Sequence, residues 1–163
     1  MQLFDYAIQM EKDGELYYRE LAEKSSDKGI AAILLRLADA EVGHRRLFEA
    51  LKKRSRPELA RDSVVSDVKN LFARMRDAKE DIRVDADQKA LYEKAQEIES
   101  DSEKFYRENA AKTDDPSQRA ILEQLADEEH IHYRVLEDLI EFITRPDPGA
   151  WLENAEWHHL DEY

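Results

Sequence analysis

The chain has 163 residues, 42% apolar and 39% charged, with four glycines, four prolines and no cysteine. Its length suits one packed core, and its bias to Ala, Glu, Lys, Leu and Arg suits long helices; the missing cysteines exclude disulfides, Cys-type zinc sites and Cys-ligated iron–sulfur centres. A net charge of −13 argues against nucleic acid as a partner, because phosphate binding needs a basic face.

The N-terminus, MQLFDYAIQMEKD, carries no basic region and no long apolar run. No signal peptide is read there, and the cytoplasm is the expected location. No segment approaches eighteen uncharged apolar residues, so no membrane span is expected. A first helix is predicted over Leu3–Lys24. Ser25–Asp27 makes a turn and supplies the N-cap of a second helix, Lys28–Lys52. Arg54–Asp85 is too long for a hairpin turn and holds one apolar-periodic piece, VVSDVKNLFARM, read as a short helix. A connection of about 30 residues can run the length of a bundle and reverse the direction of entry. The next helix is predicted over Asp87–Lys112, with Asp114–Pro116 as its turn and Pro116 in the first turn of a last helix, Pro116–Thr144. That helix stops before RPDPG at Arg145–Gly149. The expected organisation is an all-α four-helix bundle over residues 1–144, with one long crossover at about 54–86, followed by an aromatic tail, 145–163.

The two halves repeat. LADAEVGH at Leu37–His44 and LADEEHIH at Leu125–His132 lie 88 residues apart and agree at five of eight positions. At the same offset Ala7–Leu51 aligns with Ala95–Leu139 without a gap, and 21 of 45 pairs are identical. A duplicated helical hairpin accounts for this.

The repeat puts charge where a core stripe should be apolar. The second helix reads Ile30, Leu34, Leu37, Glu41, His44, Phe48, Leu51, and the last reads Leu122, Leu125, Glu129, His132, Leu136, Leu139, Ile143. Both have bundle spacing, with Glu and His at i and i+3 on one face. The first helix reads Phe4, Ala7, Ile8, Glu11, Gly14, Tyr18, Leu21, and the third main helix Leu91, Ala95, Ile98, Glu99, Ser102, Tyr106. One Glu interrupts each of these at the matching repeat position. Every one of the four glutamates lies about 15 residues, roughly 22 Å, from its hairpin turn, so all six polar residues share one level. A lone seam Glu is ordinarily a surface residue, and a lone Glu-x-x-His is common. Six symmetric residues at one level are not. Unpaired buried ions cost several kcal/mol each, and no Lys or Arg lies on these seams. Two divalent cations would cancel four carboxylates, and carboxylates with imidazoles suit iron, manganese or zinc.

On these residues the chain resembles the ferritin-like di-iron carboxylate superfamily, and within it the rubrerythrins. The ligand set of such proteins is a Glu from each of two helices plus Glu-x-x-His from the other two. The resemblance implies that Glu11, Glu41, His44, Glu99, Glu129 and His132 hold two metal ions, iron foremost, with Glu41 and Glu129 bridging. Tyr18 and Tyr106 match tyrosines that line such sites; their other reading is ordinary core aromatics. Rubrerythrins commonly carry a further Glu three residues after the third-helix ligand, where this chain has Ser102. Glu103 and Glu15 are the nearest substitutes, but each sits at i+4 and could equally face solvent.

The function implied is an oxidoreductase that reduces peroxide or O2. Its electrons would come from an external donor, a rubredoxin-like protein or a reductase, since no rubredoxin domain is present. A ferroxidase or iron-storage protein is the alternative. Haem is not expected, because Val42 stands where bacterioferritins need a Met. A non-catalytic metal-stabilised binding module is a third reading. His130 is read as a surface residue. Trp151, Leu152, Trp157 and Leu160 of the tail are read as packing on the bundle or on a neighbouring subunit in a homodimer, with metal binding at His158 and His159 the minor reading.

Overall fold

A computed structural model of the chain describes residues 2–54, 63–78 and 86–144. It contains five α-helices: α1 (Gln2–Lys24), α2 (Lys28–Lys52), α3 (Val64–Ala78), α4 (Ala86–Lys112) and α5 (Pro116–Thr144). The architecture is the ferritin-like bundle expected. α1 and α2 form one hairpin and α4 and α5 the other; α1 lies against α4 and α2 against α5. α3 belongs to the crossover and packs on α2 and α5. The tail readings, including Trp151, Trp157, His158 and His159, lie outside the described residues. Among the described residues no helix is long and apolar enough to cross a membrane.

Local chemistry fixes the turns. Asp27 caps α2, its Oδ1 accepting from the Ile30 N–H at 2.8 Å. Asp115 does the same for α5, accepting from the N–H groups of Ser117 and Gln118 at 2.9 and 3.3 Å. Arg119 then reaches back to the Ala110 and Thr113 carbonyls at the end of α4, where a cation suits the helix dipole. The duplication is also visible on the surface. Arg19 pairs with Glu15 and Asp39, and the repeat-related Arg107 pairs with Glu103 and Asp127, all at 2.9–3.2 Å. Such exposed pairs contribute little stability, but they tie the two helices of each hairpin in the same register.

The core has two apolar parts. One contains Tyr18, Leu21, Ile30, Ile33, Leu34, Leu37, Leu136, Leu139 and Phe142, and the other Ala7, Phe48, Tyr106, Ala110, Leu122 and Leu125. Phe4 and Ile8 of the α1 seam and Leu51 of the α2 seam are only half-buried, and burial shifts the predicted seams of α4 and α5. On α4, Tyr92 is buried, whereas Leu91 and Ile98 are only half-buried; on α5, Phe142 is buried and Ile143 is not. Tyr92, Ala95, Glu99, Ser102, Tyr106 and Ala110 keep the three-and-four spacing that the neighbouring helices require.

α3 contributes Val64, Val68, Phe72 and Met75 to the first part only. Its docking depends on Gly29. A Cβ at that position would stand 2.4 Å from Met75 Cγ and 2.5 Å from Sδ. Gly29→Ala should therefore destabilise the protein by about 1–3 kcal/mol through overpacking. In a Met75→Ala background that penalty should disappear, leaving little net effect, because Gly29 lies in the first turn of α2 rather than in its interior. Urea unfolding of the four proteins in the cycle checks the loss of the penalty.

Candidate metal centre

α1 contributes Glu11, α2 Glu41 and His44, α4 Glu99, and α5 Glu129 and His132. The structure brings all six together, each no more than 4% exposed. His44 Nδ1 lies 2.9 Å from Glu129 Oε1, 3.5 Å from Glu11 Oε2 and 3.9 Å from Glu41 Oε2. His132 Nδ1 lies 3.1 Å from Glu41 Oε1, 3.6 Å from Glu99 Oε2 and 3.8 Å from Glu129 Oε2. The two imidazoles stack at 5.5 Å with 8° between their planes. Two four-residue groups result, Glu11, Glu41, His44, Glu129 and Glu41, Glu99, Glu129, His132, each with its ligand atoms within 4.8 Å of one another. Glu41 and Glu129 belong to both. Gly14 lies beside Glu41, whose Oε2 would make ordinary contact, at 3.4 Å, with a Cβ there.

The tyrosines cross between hairpins. The Tyr18 hydroxyl donates to Glu99 Oε1, and the Tyr106 hydroxyl donates to Glu11 Oε1. Both phenols are buried. Glu15 and Glu103, the proposed substitutes for a further carboxylate, do not fill that role. Glu15 is held by Arg19 and Arg45, and Glu103 by Arg107 and His130. Each is drawn sideways, by an arginine one turn on along its own helix and by Arg45 or His130 on the hairpin partner. His130 is half exposed, as a surface residue should be. One residue of the site was not singled out in the sequence: Glu128, whose Oε2 lies 2.8 Å from His44 Nε2. A signal existed, since it is where the repeat breaks: Glu128 aligns with Ala40.

The donor set fits metal ions. Glu41 Oε1, Glu129 Oε1, His44 Nδ1 and His132 Nδ1 are buried without an aligned hydrogen-bond partner among the described residues. Buried polar atoms are seldom left so, and these are carboxylate and imidazole atoms facing one another. A family model described as Rubrerythrin matches residues 2–140. Neither a curated protein nor a solved structure matches the chain.

Electrostatics show what the cluster needs when no metal is bound. Burial pushes Glu41 and Glu129 well above the ordinary carboxyl range, and the charges of Glu11 on the former and of Glu41 and Glu99 on the latter push the same way. Burial also opposes ionisation of Glu11 and Glu99. Hydrogen bonds with Glu41 and Glu129 respectively, and the charges of His44 and His132, nevertheless hold both below their usual value. Burial disfavours charge on the imidazoles. The carboxylates beside them, Glu11 for His44 and Glu99 for His132, win and raise both. Protons thus supply the positive charge that bound metal ions otherwise would. The raised groups contribute stability that is complete below their unfolded values and is lost as pH climbs through their folded values. The lowered pair contributes stability that is lost only as pH falls through their depressed values. Metal-free protein should accordingly melt at a higher temperature at about pH 6 than at about pH 8. Metal-loaded protein should show the reverse order, because loading requires deprotonated ligands. Calorimetric scans of both forms at the two pH values check this.

Proposed function

The chain belongs to the rubrerythrin family, and on that premise we propose that it is a di-iron oxidoreductase that reduces peroxide, and more slowly O2, with electrons from an external protein or small reductant. In this reading Glu11, Glu41, His44, Glu99, Glu129 and His132 would hold two iron ions, with Glu41 and Glu129 common to both ligand groups. The observation that carries it is the pair of four-residue ligand groups sharing Glu41 and Glu129. Two bound ferrous ions would supply the two electrons that, with two protons, reduce one peroxide to two waters.

The protein residues have separate tasks. Four carboxylates and two imidazoles match the charge of two divalent ions, and with no sulfur ligand the set suits iron, manganese or zinc rather than soft metals. Burial of all six side chains keeps bulk water out of the site. Tyr18 and Tyr106 keep their protons on Oη, because burial and the adjoining carboxylates, Glu99 and Glu11 first among them, push both phenols far up. Each therefore remains a donor that orients the Glu11 or Glu99 carboxylate across the hairpin boundary. With no cysteine in the chain, no Cys-bound centre relays electrons, and turnover depends on a separate donor.

Glu41→Ala and Glu129→Ala should each abolish binding of about two metals per chain, since each removes a shared ligand. Metal analysis after iron loading and desalting reads this; full occupancy in either variant would sink the ligand assignment. In stopped-flow absorbance, the reduced iron-loaded protein should consume about one peroxide per site and react more slowly with O2. Faster reaction with O2, followed by deposition of added Fe²⁺ as mineral in a large shell, would identify an iron-storage protein instead.

A further inference from the structure

The repeat predicts a contact that is missing among the described residues. Glu128 of α5 reaches across to His44 Nε2 of α2. Shifting both partners by 88 residues maps this pair onto residue 40 of α2 and His132 of α5. Residue 40 is Ala, 2% exposed, and His132 Nε2 finds no hydrogen-bond partner among the described residues although it is fully buried. The surroundings differ in the same sense. Gln124 donates to Glu128 Oε1 at 2.9 Å and holds that carboxylate in place. Its repeat equivalent, Arg36, turns outward to Asp67 at 2.6 Å and Ser63 at 3.2 Å, at the start of α3. Ala40 lies in the same apolar cluster as Val64, Val68 and Phe72 of α3. A carboxylate there would be buried beneath that helix.

The difference falls on the metal-facing nitrogens. A carboxylate that accepts from Nε2–H fixes the proton on that nitrogen, leaves the Nδ1 lone pair free, and makes it more basic; losing such a partner typically weakens metal binding about 10–100-fold. Among the described residues His132 has no such partner, and an Nε2–H buried without an acceptor is itself unfavourable. We infer that the two metal positions are unequal: Glu128 makes the position at Glu11 and His44 the tighter one, and Ala40 leaves the position at Glu99 and His132 the weaker, more exchangeable one. Glu128 is thus a positioning residue, acting through His44. The inference rests on the reading that the cluster holds two metal ions.

The test is a titration of metal-free protein with Co²⁺ against a chelating indicator, read by visible absorbance as two dissociation constants. Repulsion between two cations separates the steps at any such site, so the deciding quantity is how the separation moves. Glu128→Ala should weaken the tighter step about 10–100-fold and bring the two together. Glu128→Gln keeps an amide oxygen that can accept from Nε2–H and should restore most of the separation. Ala40→Glu should tighten the weaker step; if that variant does not fold, the two Glu128 variants decide alone. A separation that is unchanged in Glu128→Ala, or both steps weakened equally there and not restored by Gln, would overturn the inference while leaving the two-metal reading intact. Failure of the unaltered protein to bind two Co²⁺ ions would instead overturn the reading on which it rests.

Discussion

Everything else in the molecule is arranged around one electrostatic requirement: four carboxylates and two imidazoles share a layer that water does not reach. Like charges this close, in a medium less polarisable than water, cannot all remain ionised. Either protons or metal ions must supply compensating charge, because no Lys or Arg pairs with any of the six among the described residues. Two sets of apolar residues hold the helices in register at the layer, one including Leu34, Leu136 and Phe142 and the other Phe48, Leu122 and Leu125. The hydrogen bonds from Tyr18 to Glu99 and from Tyr106 to Glu11 join each apolar set to the polar one.

Most of this was legible in the sequence, for physical reasons. Helix boundaries were marked by side-chain caps such as Asp27 and by Pro116, so the Lys28–Lys52 and Pro116–Thr144 helices have the predicted limits. The six polar residues stood out because they violate an otherwise apolar stripe, and the duplication makes the violation occur twice at one height. The family match over residues 2–140 agrees with the resemblance those residues carry. What was not legible depends on rotation about a helix axis or on contacts between hairpins. Periodicity alone allowed Leu91 and Ile98 on the α4 seam, and only packing selects Tyr92. The outward turn of Glu15 and Glu103 follows from arginines on neighbouring turns and helices. The role of Glu128 required knowing that α5 presents it to His44.

The crossover helix is where the two halves stop being equivalent. α3 lies over the α2 and α5 ends that carry Gly29 and Phe142, and it has no counterpart after α5 among the described residues. Sequence follows this: Gly29 gives way to Met75, and Arg36 is drawn to Asp67. Among the described residues, the chain that joins the duplicated hairpins covers one side of the bundle with α3 and has no equivalent on the other. Covering a groove with apolar residues favours small or apolar neighbours beneath, and Ala40 is one.

The central claim, that the polar layer is a two-metal centre held by these six residues, is tested most directly by crystallography of the iron-loaded protein with anomalous scattering at the iron edge. The account predicts two peaks about 3.5–4 Å apart, one beside Glu11 and His44 and the other beside Glu99 and His132, with Glu41 and Glu129 between them. A single peak, or peaks only at surface carboxylates or histidines with the layer free of iron, would contradict it.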